Sequence, residues 1–241
     1  MNGKSAQRIT DVYPFGGKCA INVDFQQKEF RVCWSGNWLE PPDLADFPSS
    51  AVVSGASIEQ IPHSQAVEAV WLASRALKYG ADSHIRLLEH CRDNFPICKV
   101  AIDERQRQLV SEEFTLLQYL STQSPTARIV RTLPKPLQDQ DGIFGYQMER
   151  LTGITFEELA DNYEELLGVV QELHEAGVVH YDLSWTNIML GNDGKITLID
   201  FGRAGRLGEP VPLNKHRGLR RQGNLTYSPS LDFEILQELQ R

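Results

Sequence analysis

The chain has 241 residues, 41% hydrophobic and 23% charged, a balance ordinary for a globular protein and enough for one large domain or two small lobes around a cleft. Its net charge of -8 argues against a general binder of nucleic acid or anionic membranes, and no run approaches the length that spans a bilayer. Cys19, Cys33, Cys91 and Cys98 form no Cys-x-x-Cys pair, which argues against zinc and fits reduced thiols. The polar Met1 to Thr10 lacks the apolar core of a signal peptide, so a cytoplasmic or nuclear location is expected.

Residues 1–65 form an extension. Cys19 to Phe25 and Phe30 to Trp34 alternate as strands of a hairpin, with Gln26 to Glu29 as the turn. Pro41 to Ser50 reads as linker. No chemistry stands out here, and the extension is expected to be a small cap on the neighbouring lobe or a partner-binding arm.

Residues 66–149 read as a β-rich unit. Ala66 to Ala76 has the spacing of a short helix, then Leu77 to Cys91 and Ile97 to Ile102 read as three strands with turns at Gly80 to His84 and Arg92 to Pro96. Lys99 lies inside the apolar run and must find a partner or hold its charge at a surface. Arg107 to Leu120 is a helix with Leu109, Phe114, Leu117 and Leu120 on one face. Glu113 and its neighbour Glu112 point about 100° apart on that helix. Ala127 to Leu133 and Ile143 to Glu149 are expected as two further strands around the turn Gln138 to Gly142.

Residues 150–241 read as mainly helical. Thr155-x-x-Glu158 is a capping-box signature, Leu166, Val170 and Leu173 form one stripe, and Gly177 closes that helix. Val178 to Gly202 then carries His180-x-Asp182, Asn187 and Asp200-Phe201-Gly202. Its apolar runs Ile188 to Leu190 and Ile196 to Ile199 flank an Asn192-Asp193-Gly194 turn, the signature of a β-hairpin. A hairpin of that size brings Asp182, Asn187 and Asp200 together, and such oxygen ligands suit Mg2+.

This stretch resembles the catalytic loop and metal-binding triplet of the protein-kinase superfamily. Its D-L-S form, with no A-P-E beyond it, is closest in style to the compact atypical kinases, namely the RIO kinases and the small kinase of the KEOPS tRNA-modification complex. The resemblance covers about residues 70 to 241. It implies an α+β, bilobal protein-kinase-like fold, with a β-rich N-lobe and a truncated, mainly helical C-lobe hinged near Arg150. It further implies ATP and Mg2+ as cofactors, with Asp182 the acceptor base and Asn187 and Asp200 the metal ligands. Lys99 would contact the phosphates and pair with Glu113. Gly80, Ser83, Lys99, Glu113, Glu149, Leu151 and Met189 would make up the nucleotide site, and Gly80 is the one glycine left in the phosphate loop. His180 and Phe201 are expected as core struts, and Asp232, in the helix Ser230 to Leu239, as the support of the catalytic loop.

Two departures bear on mechanism. Tyr181 replaces the arginine before the catalytic aspartate, and Ser184 the lysine two residues after it. The leading expectation is transfer of the γ-phosphate to a protein Ser/Thr hydroxyl. The alternatives are a small-molecule kinase of aminoglycoside or choline type, a KEOPS-type kinase or ATPase subunit, and an ATP-binding pseudokinase scaffold. Partner contacts are expected through the extension or the basic segment 203–221, which holds Arg203, Arg206, Lys215, His216, Arg217, Arg220 and Arg221. Nucleic acid would be met only within a complex.

Overall fold

The computed structural model describes residues 6–10, 12–80, 82–91, 93–215 and 225–239. The extension folds as an antiparallel sheet of β1 (Gln7–Arg8), β2 (Tyr13–Phe15), β3 (Lys18–Phe25), β4 (Lys28–Trp34) and, after helix α1 (Ser49–Val53), β5 (Ser57–Gln60). Strand β4 lies between β3 and β5, while β1 and β2 share the other edge of β3. The hairpin turn is shorter than the sequence suggested. Gln26 and Gln27 take φ of 54° and 62°, as a two-residue primed turn requires, so Lys28 and Glu29 pair within β4.

The stretch read as linker is anchored. Phe47 is buried with its ring 5.2 Å from Phe25 and 5.4 Å from Phe30, and it closes a core of Ile21, Val23 and Val32. The sheet also packs onto the rest of the chain, as a cap would. Ile9 shares a core with Val67, Trp71 and Phe144, and the Tyr79 hydroxyl donates to Asp24.

Helix α2 (Gln65–Leu72) starts at Ser64, whose hydroxyl accepts the Val67 N–H. It stops four residues before the apolar spacing does, because Ser74 to Ala76 pair with the next strand. Strands β6 (Ser74–Tyr79), β7 (His84–Leu88) and β8 (Ile97–Val100) lead to helix α3 (Glu104–Gln123), with β9 (Leu137–Asp139) and β10 (Gly142–Met148) beyond it. They form a sheet in the order β6-β7-β8-β10-β9. Asp103 caps α3 by accepting the Gln106 N–H at 2.8 Å, so the helix begins ahead of the predicted Arg107. Gly145 is required in β10, since a Cβ there would lie 2.6 Å from the Lys99 carbonyl oxygen.

Residues 127–133 do not form the expected strand. Their backbone donors divide between two sheets: the Val130 N–H reaches Leu198 O at 2.9 Å and the Leu133 N–H reaches Gln147 O at 3.0 Å. The segment is a seam between lobes.

The second lobe contains β11 (Thr152–Gly153), α4 (Phe156–Asp161), α5 (Tyr163–Glu175), β12 (Val178–Val179), β13 (Ile188–Leu190), β14 (Ile196–Leu198), β15 (Gly205–Arg206) and α6 (Pro229–Leu239). Thr155 and Glu158 form the full capping box at the start of α4. Leu166, Val170 and Leu173 of α5 are buried beneath the β13–β14 hairpin, in one core with Leu117, Ile188, Leu198 and Phe201. The result is a mixed α+β bilobal fold, sheet-rich in its first lobe and more helical in its second. No helix among the described residues is long and apolar enough to cross a membrane.

Candidate active site

A cavity of about 650 Å³ opens between the lobes. Gly80 and Ser83 line it from the β6–β7 turn, Lys99 from β8, and Glu149 and Leu151 from the connection between lobes. Asn187, Met189 and Asp200 line it from the second lobe. The residues expected at a nucleotide site therefore share one volume, with one exception. Glu113 is 1% exposed and stands behind Lys99, so it orients the lysine and does not face the cavity.

Lys99 finds its partners from both lobes. Its Nζ lies 2.9 Å from Glu113 Oε1 and 2.7 Å from Asp200 Oδ1. Burial alone would push this ammonium down, but the Asp200 and Glu113 carboxylates outweigh it and hold the lysine well above its usual range. Lys99 in turn holds the Asp200 carboxyl below its usual range against the opposing effect of burial. Glu112 points away from Lys99 and pairs instead with Lys215 at 3.0 Å.

The tight turn at Gly80 closes with its N–H on the Ser83 carbonyl at 2.9 Å. A Cβ at Gly80 would sit 2.9 Å from that same oxygen, which is why a glycine stands there. The Glu149 carboxylate is occupied by Arg131, with Nη2 at 2.6 Å. What Glu149 offers the cavity is therefore backbone.

The stretch from His180 is held from beneath. Asp232 of α6 is fully buried and accepts the backbone N–H groups of His180 at 2.8 Å and Tyr181 at 2.6 Å. His174 Nε2 lies 2.9 Å from the same carboxylate. Tyr181 and Asp200 both take left-handed backbone, with φ of 62° and 64°. Such conformations persist where surrounding structure imposes them, and they concentrate at functional sites. Asp232 fixes the first, while the second precedes the buried Phe201, whose ring lies 4.7 Å from that of His180. These two are core struts.

The Asn187 Nδ2 donates to the Asp182 carbonyl at 2.9 Å, so its amide oxygen remains as the acceptor available to the cavity. The Asp200 side chain is 46% exposed. Among the described residues no group of three or more His, Cys, Asp or Glu is placed to hold a metal alone. Mg2+ binds through one or two protein oxygens together with substrate phosphates. Asn187 and Asp200 are the residues that would hold it.

Sequence reasoning missed three participants. His174 supports Asp232. Arg203 Nε lies 3.8 Å from Asp182 Oδ2, and Arg203 Nη2 lies 3.2 Å from Asp82 of the β6–β7 turn. The sequence showed Arg203 only as one member of a basic segment. In the structure the described basic side chains of that segment are engaged within the chain. Arg206 lies 4.0 Å over the Tyr119 ring, and the Lys215 Nζ donates to the Ala204 carbonyl at 3.3 Å. His216, Arg217, Arg220 and Arg221 lie outside the described residues.

Residues 136–222 match the family model for the protein kinase domain. A probable serine/threonine-protein kinase mkcB of Dictyostelium discoideum is 37% identical over 87 residues, covering 32% of this chain and 12% of that protein. The serine/threonine-protein kinase pak-2 of Caenorhabditis elegans is 38% identical over 61 residues, covering 25% of this chain and 12% of the other. For the Arabidopsis thaliana serine/threonine-protein kinase AtPK1/AtPK6 the values are 39% over 67 residues, 27% and 14%. The chain thus spans between 12% and 14% of the length of these relatives. The match runs from the last strands of the first lobe to the segment beyond Asp200, and Lys99, Glu113 and Asp232 lie outside it. Over residues 136–222 the chain is similar to protein kinase domains.

Proposed function

We propose that the chain is an ATP- and Mg2+-dependent phosphotransferase that passes the γ-phosphate to a serine or threonine hydroxyl of a protein. The observation that carries this reading is the Lys99 ammonium, 2.7 Å from Asp200 and 2.9 Å from Glu113. It joins a buried strand, a helix and the Asp-Phe-Gly segment at the cavity. A buried ammonium with a half-exposed carboxylate beside it suits a polyphosphate and its metal better than an apolar ligand.

In this reading Lys99 binds the α- and β-phosphates while Glu113 keeps its charge aimed at the cavity. Asn187 and Asp200 hold the metal, which when bound neutralises phosphate charge as it develops. The backbone of Glu149 and Leu151 meets the adenine edge, and Met189 forms part of the floor beneath it. Asp182 accepts the proton of the attacking hydroxyl and orients it, with most of the barrier reduction coming from positioning. Tyr181 provides no cation to read a phosphorylated activation segment, so activity does not require that phosphorylation.

The test is transfer from γ-labelled ATP with Mg2+ to generic protein acceptors, alongside the thermal midpoint with and without nucleotide. Label on protein serine or threonine is the expected result, with a Mg2+-dependent rise in midpoint that Asp200→Ala abolishes. ADP release without labelled protein would contradict the acceptor. No thermal response to Mg-ATP would contradict the nucleotide site.

A further inference from the structure

Arg203 directly follows the Asp200-Phe201-Gly202 triplet, and its guanidinium faces two carboxylates that lie far apart in sequence. Nη2 reaches Asp82 Oδ2 at 3.2 Å and Nε reaches Asp182 Oδ2 at 3.8 Å. Nη1 donates to the Lys215 carbonyl at 3.1 Å. Asp82 lines the cavity from the turn between β6 and β7, and its Oδ1 is held at 2.6 Å by Arg105 in the first turn of α3. One loop residue is thus tied to both the helix behind the lysine and the segment beside the catalytic aspartate.

The Arg203 backbone is pinned in turn. The Tyr227 hydroxyl donates to the Arg203 carbonyl at 2.9 Å, and the Tyr227 ring lies so close to Gly205 that no Cβ fits between them. The stretch His180 to Asn187 contains neither lysine nor arginine, and Arg203 brings a positive charge to Asp182 from another segment. A rigid planar fork can serve two carboxylates in fixed directions, which a lysine ammonium on a flexible stem does poorly.

We infer that Arg203 is a positioning residue that clasps the β6–β7 turn to the catalytic loop, closing the cleft through Asp82 and aiming Asp182 with the same side chain. The aiming half rests on the phosphotransferase reading above; the clasp does not. Because these side chains are about one-quarter exposed (24% for Arg203 and 26% for Asp82), the clasp is a modest, reversible tie.

The test compares wild type, Asp82→Asn, Arg203→Met, the double variant and Arg203→Lys. Amide exchange at residues 78–80 and 82–84 is read in the free protein, with Mg-ADP affinity and transfer kinetics measured separately. Arg203→Met should speed exchange about fivefold and Asp82→Asn at least as much, since it also weakens the Arg105 bond, with the double variant no faster than Asp82→Asn alone. Arg203→Met should also lower kcat roughly 10- to 100-fold, as expected when a reacting group is misaimed. Arg203→Lys should retain loop protection without restoring kcat. Additive effects on exchange, or none, would overturn the clasp, and an unchanged kcat in Arg203→Met would overturn the aiming of Asp182. Asp82→Asn keeps the exchange test open should Arg203→Met fail to fold. Exchange in the free protein needs neither nucleotide nor turnover. A wild type that binds no Mg-ADP or transfers no phosphate therefore counts against the proposed reaction, while unchanged exchange counts against the clasp alone.

Discussion

The Asp232 carboxylate accepts the Tyr181 backbone N–H at 2.6 Å, across 51 residues of chain. This bond holds a tyrosine in left-handed backbone one residue before Asp182. A charged acceptor that satisfies two buried N–H groups and a histidine has no substitute nearby once it is removed. Asp232→Ala should lower stability by about 3 kcal/mol in urea unfolding and abolish phosphate transfer. A loss below about 1 kcal/mol would show that the loop holds its conformation without α6.

Lys99 and Glu113 should behave as one unit. Lys99→Met leaves the Glu113 carboxylate buried beside an apolar chain, and breaking a buried pair on one side typically costs about 3–5 kcal/mol. Asp200 remains better solvated because its side chain faces the cavity. The double variant Lys99→Met, Glu113→Gln should therefore be more stable than Lys99→Met alone. Denaturant midpoints for the four proteins of this cycle provide the measurement, and strictly additive costs would contradict the coupling.

A pH dependence of stability should arise outside the cleft. Glu29, buried in β4 with His63 Nε2 at 3.2 Å, has its carboxyl raised from the ordinary 4.5 to about 7, chiefly by burial. A carboxyl raised on folding binds its proton more tightly in the folded state. Its contribution is full below about pH 4.5 and is lost as the pH rises to about 7. The span corresponds to about 3 kcal/mol. Glu29→Gln should flatten the stability profile between those limits, and a profile identical to wild type would contradict the assignment.

Much of the site was legible because its signals are local. The Asn192-Asp193-Gly194 turn sets the register Ile188 to Leu198, and that register alone brings Asn187 close to Asp200. Asp232 was legible only through its likeness to a known helix, since nothing in Ser230 to Leu239 says what lies above it. Residues 127–133 misled because their alternation is that of a strand while their hydrogen bonds divide between two sheets. Pro41 to Ser50 has the composition of a linker, yet one aromatic, Phe47, is enough to dock it. The Asp82–Arg203 contact spans 121 residues, and no periodicity or spacing encodes it.

Asp182 provides the most direct test of the account. Its carboxylate does not line the cavity between the lobes, whereas its backbone carbonyl is bound by Asn187 at 2.9 Å and stays in place whatever the side chain. Asp182→Asn is close to isosteric and removes the charge, with its attraction for Arg203, and the proton acceptor. The decisive measurement pairs the Mg-ATP thermal shift with labelled phosphate transfer in wild type and Asp182→Asn. The account predicts an unchanged thermal shift and a fall in transfer of roughly 10²- to 10⁴-fold. Transfer at the wild-type rate in Asp182→Asn would contradict it.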